Sequence, residues 1–222
     1  MSARDDVLTR IRSAIAGQPP SAEITRDYRI AAAEAPGTEP VIVRFVDRLT
    51  DYKARVHRTD AAGLAQTLAA VLASDASVVL PPGAPPDWRY ACGNRRVRVD
   101  GDPAPLRAAE LDGIAAVVTG CRVAIAETGT IVLDAGPDQG RRVLTLVPDH
   151  HVVVVHEEQV VMSVPESLTR LDPSRPLTFI SGPSATSDIE FKRVEGVHGP
   201  RVLDVIVVTA SSSSLRSEAP RT

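Results

Sequence analysis

Lysine, cysteine and the aromatic residues are all scarce in this chain of 222 residues, and each scarcity excludes something. Lys53 and Lys192 are the only lysines, so arginine supplies nearly all of the 25 basic side chains. Set against 28 acidic ones, they leave a formal charge of −3, which gives no electrostatic footprint for nucleic acid. One Trp, three Tyr and three Phe are too few for a base-stacking platform. Cys92 and Cys121 stand alone and far apart. An iron–sulfur cluster usually takes four thiolates, and a structural zinc three or four close Cys and His ligands, so cysteine can build neither here. A Cys92–Cys121 disulfide is formally open; an unpaired, half-buried thiol is the expectation for each. No Walker motif, G-x-S-x-G or His-Glu-x-x-His occurs. The longest apolar runs, such as Val152 to Val155, are of strand length. The charged start, Met1 to Asp6, has no apolar stretch behind it. The expectation is a cytoplasmic protein without a membrane span, a nucleic-acid partner or a bound metal.

What is present is the balance of a globular protein, 43% hydrophobic and 24% charged, with enough chain for one large domain or two small ones. Ser2 to Ala16 reads as a helix: Ser2-Ala3-Arg4-Asp5 resembles a capping box, and Val7, Leu8, Ile11 and Ile15 form one stripe. Residues 1–17 are thus an arm, 18–40 a proline-bearing connection, 41–210 the body, and 211–222 a serine-rich tail expected to be disordered. The arm needs something to cover its stripe, so self-association or partner binding is expected of it.

Within the body, Ile42, Phe45, Val46, Leu49 and Tyr52 sit at helical spacing, followed by a strand over Ala54 to Arg58. Asp60 precedes a helix carrying Leu64, Leu68, Val71 and Leu72, and Ser77 to Leu80 is a continuous apolar strand. Strand, helix, buried strand predicts a sheet covered on both faces. Further strands are expected over Val97 to Val99, Ala115 to Val118, Gly129 to Leu133, Val152 to Val155, Leu177 to Ile180 and Val202 to Val208. Helices are expected over Ser163 to Leu171 and Asp188 to Val194. The fold class is α/β, with a mostly parallel central sheet flanked by helices.

Three polar loops carry the candidate chemistry, since ligands of open α/β sheets gather where loops leave the strands. In Glu127-Thr128-Gly129-Thr130, glycine admits a close ligand and Glu127 has the chemistry of a base, a nucleophile or a hydrogen-bond acceptor. The run from Ser181 to Glu190 holds Ser181, Gly182, Ser184, Thr186 and Asp188. Part of that polarity is a capping box, Ser187-Asp188-Ile189-Glu190; the rest suits a carboxylate or another anion. In Gly196-Val197-His198-Gly199-Pro200, flanking glycines leave His198 open to act as a general acid–base group. His151 and His156, five residues apart on one strand, point to opposite faces and do not pair around a metal.

Taken in order and separation, these strings resemble the LUD-domain family. Ile125-Ala126-Glu127-Thr128-Gly129-Thr130-Ile131, Ser181-Gly182-Pro183-Ser184, Asp188-Ile189-Glu190 and Gly196-Val197-His198-Gly199-Pro200 carry the likeness, with Val118-Thr119-Gly120 and Leu146-Val147-Pro148 beside them. It is strong from about residue 111 to 208 and loose before. The resemblance implies a fold similar to ribose-5-phosphate isomerase, glucosamine-6-phosphate deaminase, the CoA transferases and formyltetrahydrofolate cyclo-ligase. It also implies bacterial lactate catabolism: an accessory subunit acting with operon-encoded iron–sulfur proteins in oxidation of L-lactate to pyruvate, possessing no bound cofactor and binding a small carboxylate or acyl ligand. The alternative is a stand-alone enzyme with Glu127 and His198 in a CoA-transferase-like or cyclo-ligase-like site. The glutamate of Glu127-Thr128-Gly129 is similar to the nucleophile of the CoA-transferase loop, but fold kinship does not transfer chemistry.

Overall fold

Most apolar runs of this chain become strands, and most stripes of helical period become helices. The computed structural model describes residues 2–16, 31–186, 194–195 and 199–210. Its helices are α1 (Ala3–Ile15), α2 (Glu39–Asp51), α3 (Leu64–Val71), α4 (Pro86–Ala91), α5 (Ala108–Leu111) and α6 (Val164–Leu168). The strands begin with β1 (Arg55–Asp60), β2 (Ser77–Leu80), β3 (Arg96–Val99), β4 (Ala116–Thr119), β5 (Val123–Ile125) and β6 (Thr130–Leu133). They continue with β7 (His150–His156), β8 (Val160–Val161), β9 (Thr178–Ile180), β10 (Ala185–Thr186), β11 (Val194–Glu195) and β12 (Val202–Thr209).

Six strands form the central sheet in the order β1-β12-β7-β4-β2-β3, every neighbouring pair parallel. Parallel strands need crossovers, and the crossovers bury both faces. On one face α3 and α4 press Leu68, Leu72, Trp88 and Cys92 onto Val78, Val118, Val152 and Ile206. On the other, α2 lays Val41, Ile42, Phe45 and Leu49 against Val153, Val155, Val205 and Val207. Their spacing puts these four on one side of the helix, and each full burial contributes about 1.5–3 kcal/mol. Both cysteines are free and buried, more deeply than half-buried thiols.

The single sheet expected from the sequence needs correction. Strands over 130–133 and 178–180 leave the central sheet and join a second, mixed one, ordered β8-β5-β6-β9. There β6 runs antiparallel to β5 and β9, while β5 and β8 are parallel. The tight Glu127–Gly129 turn pairs β6 with its immediate predecessor. At three and two residues, β5 and β8 are too short to raise a pattern in sequence. The helix expected over 188–194 is corrected at its end: Val194 lies in β11, antiparallel to β10, and residues 188–193 lie outside the described set. Ser2 caps α1 as expected, with the reciprocal Asp5 bond, and no residue of that helix is buried. The 211–222 tail lies outside the described residues. Among the described residues no helix is long and apolar enough to cross a membrane.

Gly129 shows how tightly the two layers meet. Its φ is +58°, and a Cβ there would stand 2.8 Å from Arg48 Cβ and 3.0 Å from the Arg48 carbonyl carbon. Gly129→Ala is therefore expected to cost about 1–3 kcal/mol, read as a lower denaturant midpoint with the slope unchanged. A neutral result would mean that α2 does not press on this turn.

Candidate functional site

The chain leaves β9 at Ser181 and turns at once. Gly182 makes the turn possible: its φ is +92°, and a Cβ would meet Tyr52 O and Tyr52 Cβ at 2.8 Å each. Ser184 N then donates to Pro200 O at 2.8 Å, tying the turn to the residues that lead into β12. Opposite stands the 3-10 turn Arg142–Thr145, and the floor is His151 and Leu203 of the central sheet. Together they enclose a cavity of about 300 Å³, lined also by Thr145 and Phe179.

The first two predicted loops meet here. Ser181 Oγ lies 2.7 Å from Thr130 Oγ1, which lies 2.7 Å from Thr128 Oγ1. This chain of hydroxyls runs from the β5–β6 turn to the cavity rim, with Thr130 buried at its centre. Glu127 sits at the other end of that turn. Its backbone N donates to Met162 O at 3.0 Å, its side chain is exposed, and it is not among the cavity-lining residues. Gly129 packs against α2 rather than opening toward a ligand. Of the third loop, Gly199 and Pro200 line the cavity. His198 and Asp188 lie outside the described residues, and Thr186 contributes the backbone of β10.

Two lining residues escaped the sequence reading. Arg142 follows the glycine-rich stretch 136–140 and reads there as one more surface arginine. His151 was set aside because its five-residue separation from His156 puts the two on opposite faces, where they cannot pair around a metal. Its position is nevertheless distinctive: the ring is buried, with Nε2 2.8 Å from Thr119 Oγ1. Burial, helped by the neighbouring His150 charge, pushes its pKa down to about 3, so it is neutral at any ordinary pH. A neutral imidazole, hydroxyls and one guanidinium fit a small anion carrying a further polar group, such as a carboxylate with a hydroxyl or carbonyl. Among the described residues no three His, Cys, Asp or Glu side chains are grouped to hold a metal ion.

On the opposite face the adjacent histidine lives under different electrostatics. His150 Nε2 lies 2.7 Å from Asp204 Oδ2 and Nδ1 2.9 Å from Asp75 Oδ2. Asp204 also receives His57 Nε2 at 2.6 Å, Arg55 Nε at 3.0 Å and the Arg55 Nη2 group. Burial alone would lower the His150 pKa, but the two carboxylates outweigh it and hold the ring's pKa above its usual value. For Asp204, burial pushes upward and the bonds from His150, His57 and Arg55 win, holding it below the usual carboxylate range.

The LUD domain model matches residues 107–208. Lactate utilization protein C of Deinococcus radiodurans is 46% identical over 210 residues, 93% of this chain and 95% of that protein. Its namesakes in Bacillus subtilis and a Geobacillus species are 33% and 34% identical over 41% of each chain. The crystal structure of a DUF162 family protein from Deinococcus radiodurans is 43% identical and superposes with a TM-score of 0.66, covering 76% of this chain and 96% of that one.

Proposed function

The chain belongs to the LUD-domain family of lactate utilization protein C, and from that premise we propose that it serves lactate utilisation as a carboxylate-binding accessory subunit. The observation that carries this reading is the convergence of Arg142, the 181–184 turn and neutral His151 on one cavity of about 300 Å³. The carboxylate lies on Arg142 and the Ser181 and Ser184 hydroxyls, and the ligand's second oxygen faces His151. That is the chemistry of a 2-hydroxy or 2-oxo acid.

Electron transfer falls to partners. Two buried cysteines supply too few thiolates for a cluster, which supports assigning the cluster-borne redox steps to the iron–sulfur proteins of the pathway. The exposed stripe of α1, with Val7, Ile11 and Ile15 all more than half accessible, is the element that docks on them or on another copy. The enzyme reading, with Glu127 as nucleophile and His198 as acid–base group, has less support, because Glu127 stands exposed outside the cavity lining.

The test is lactate-dependent dye reduction by the co-purified iron–sulfur proteins, with and without this chain. Adding the chain should raise the rate. Arg142→Ala and Ser181→Ala should each remove about 1.5–3 kcal/mol of charge-assisted binding, a loss of ten- to a hundredfold in apparent lactate affinity, with thermal unfolding unchanged. Unaltered affinity in Arg142→Ala would discard the cavity. A large loss in Glu127→Gln with Arg142→Ala silent would favour the enzyme reading.

A further inference from the structure

The order of the central sheet reverses between β4 and β2. The chain leaves β2 for β3 on one side and leaves β4 for β7 on the other. Such a reversal opens a crevice at the carboxyl ends of the two strands, the usual seat of a ligand in parallel sheets. Residues 134–142 cross it as a strap. Pro137 O accepts from Gly83 N at 2.9 Å and Asp138 O from Gly120 N at 3.0 Å. Arg141 grips Asp100, beyond the end of β3, through Nε at 2.7 Å and Nη2 at 2.6 Å. The fit at Gly120 is close: a Cβ there would fall 2.0 Å from Asp138 Oδ2, so that carboxylate would have to swing away. Ala135 is held at φ +56°, a conformation that a residue with a Cβ keeps only where its surroundings impose it.

Beside the strap lies a cleft of about 240 Å³ that shares no lining residue with the cavity under the 181–184 turn. Two arginines wall it, each moored by Nε to a backbone carbonyl: Arg122 to Arg170 O at 3.0 Å and Arg175 to Asp134 O at 2.9 Å. Arg175 Nε also lies 3.4 Å from Asp134 Oδ2, an ion pair within the wall, and among the described residues neither guanidinium makes another hydrogen bond, which leaves the terminal amino groups of both facing the cleft. Gln159 is fixed in the same wall, donating Nε2 to Cys121 O at 2.7 Å and accepting from His156 N at 2.9 Å. Asp134 and Asp138 complete it.

We propose that this cleft is a second binding site, taking a small, singly charged carboxylate on Arg122 and Arg175 with a hydroxyl of the same ligand donating to Asp138. Moored guanidiniums present the forked donors that a carboxylate matches in two places. The two aspartates in the wall repel a second negative charge, which excludes phosphate and dicarboxylates.

The full chain, titrated with sodium L-lactate and separately with inorganic phosphate, tests this by amide NMR. Lactate should move the Gly120, Cys121 and Gly136 amides saturably, and phosphate should bind there at least about tenfold more weakly. The Arg122→Gln/Arg175→Gln double variant should weaken lactate at these amides at least about tenfold while leaving Gly182 and Ser184 shifts intact. Arg142→Gln should do the reverse. If the double variant unfolds, each single substitution should still weaken lactate about threefold or more. Absence of saturable shifts at Gly120 and Cys121 up to about 50 mM, their persistence in the variants, or equal binding of phosphate would overturn the proposal. Shifts confined to Gly182 and Ser184 would overturn it too, while leaving the first cavity standing.

Discussion

Asp204→Ala should unfold with a loss of about 3–5 kcal/mol, lowering Tm by about 6–20 °C for a chain of this size. The carboxylate is almost fully buried and gathers His150, His57 and Arg55. Removing it strands His150 with Asp75 alone and leaves a hole in the sheet face. His150 between two carboxylates satisfies both only as an imidazolium with both N–H groups donating. Because its pKa is raised on folding, its contribution is complete below the unfolded value near 6.5 and fades as pH rises through the folded value. Asp204, whose pKa is depressed, contributes above its unfolded value near 3.9 and loses that contribution as pH falls through the folded one. The variant's deficit should therefore be greatest between about pH 4 and 6.5. Urea midpoints at pH 5.5 and 8.5 measure it; a deficit below about 1 kcal/mol at pH 5.5 would reduce the cluster to surface decoration.

The acid limb should belong to His151. Its pKa falls from about 6.5 in the unfolded chain to about 3 on folding. The unfolded state therefore binds a proton over that interval while the folded state refuses it. Stability drops by about 1.4 kcal/mol per pH unit there, close to 3 kcal/mol between pH 6 and pH 4. His150 adds no slope below its unfolded value, so it does not mask the effect. His151→Gln keeps a polar group for Thr119 and removes the titration. The difference between wild type and variant should shrink steadily as the pH is lowered, with the variant overtaking if its packing cost is small. A constant difference from pH 7 to 4 would mean that the ring protonates freely in the fold.

These two histidines are neighbours in sequence, and their divergence marks how far the sequence could be read. Period-two alternation assigned His151 and His156 to opposite faces and by the same rule separates His151 from His150, and the apolar runs at 77–80, 152–155 and 202–208 became β2, β7 and β12. The stripe over Ile42, Phe45 and Leu49 became α2. Long-range chemistry was not readable. Asp204 finds Arg55 across 149 positions and His150 across 54, and no local pattern encodes a partner at such distance. The 181–184 turn was legible because glycine and serine crowd together there; Arg142 was not, because an arginine among many carries no mark until the fold sets it beside a cavity. Short strands such as β5 and β8 draw their stability from pairing rather than from their own residues, so the second sheet had no signature of its own.

The arrangement of the central sheet also bears on where this protein can be cut. The family match begins at residue 107, after β3. Yet β1 pairs with β12 and β2 with β4. A fragment confined to 107–208 would keep only β12, β7 and β4 in that sheet. It would lack α2, α3 and α4, and would carry two raw strand edges and a bare apolar surface on each side. Such edges recruit other chains. The stretch that matches the family model therefore lacks half of its own central sheet, and the first hundred residues supply the strands and helices that complete its core.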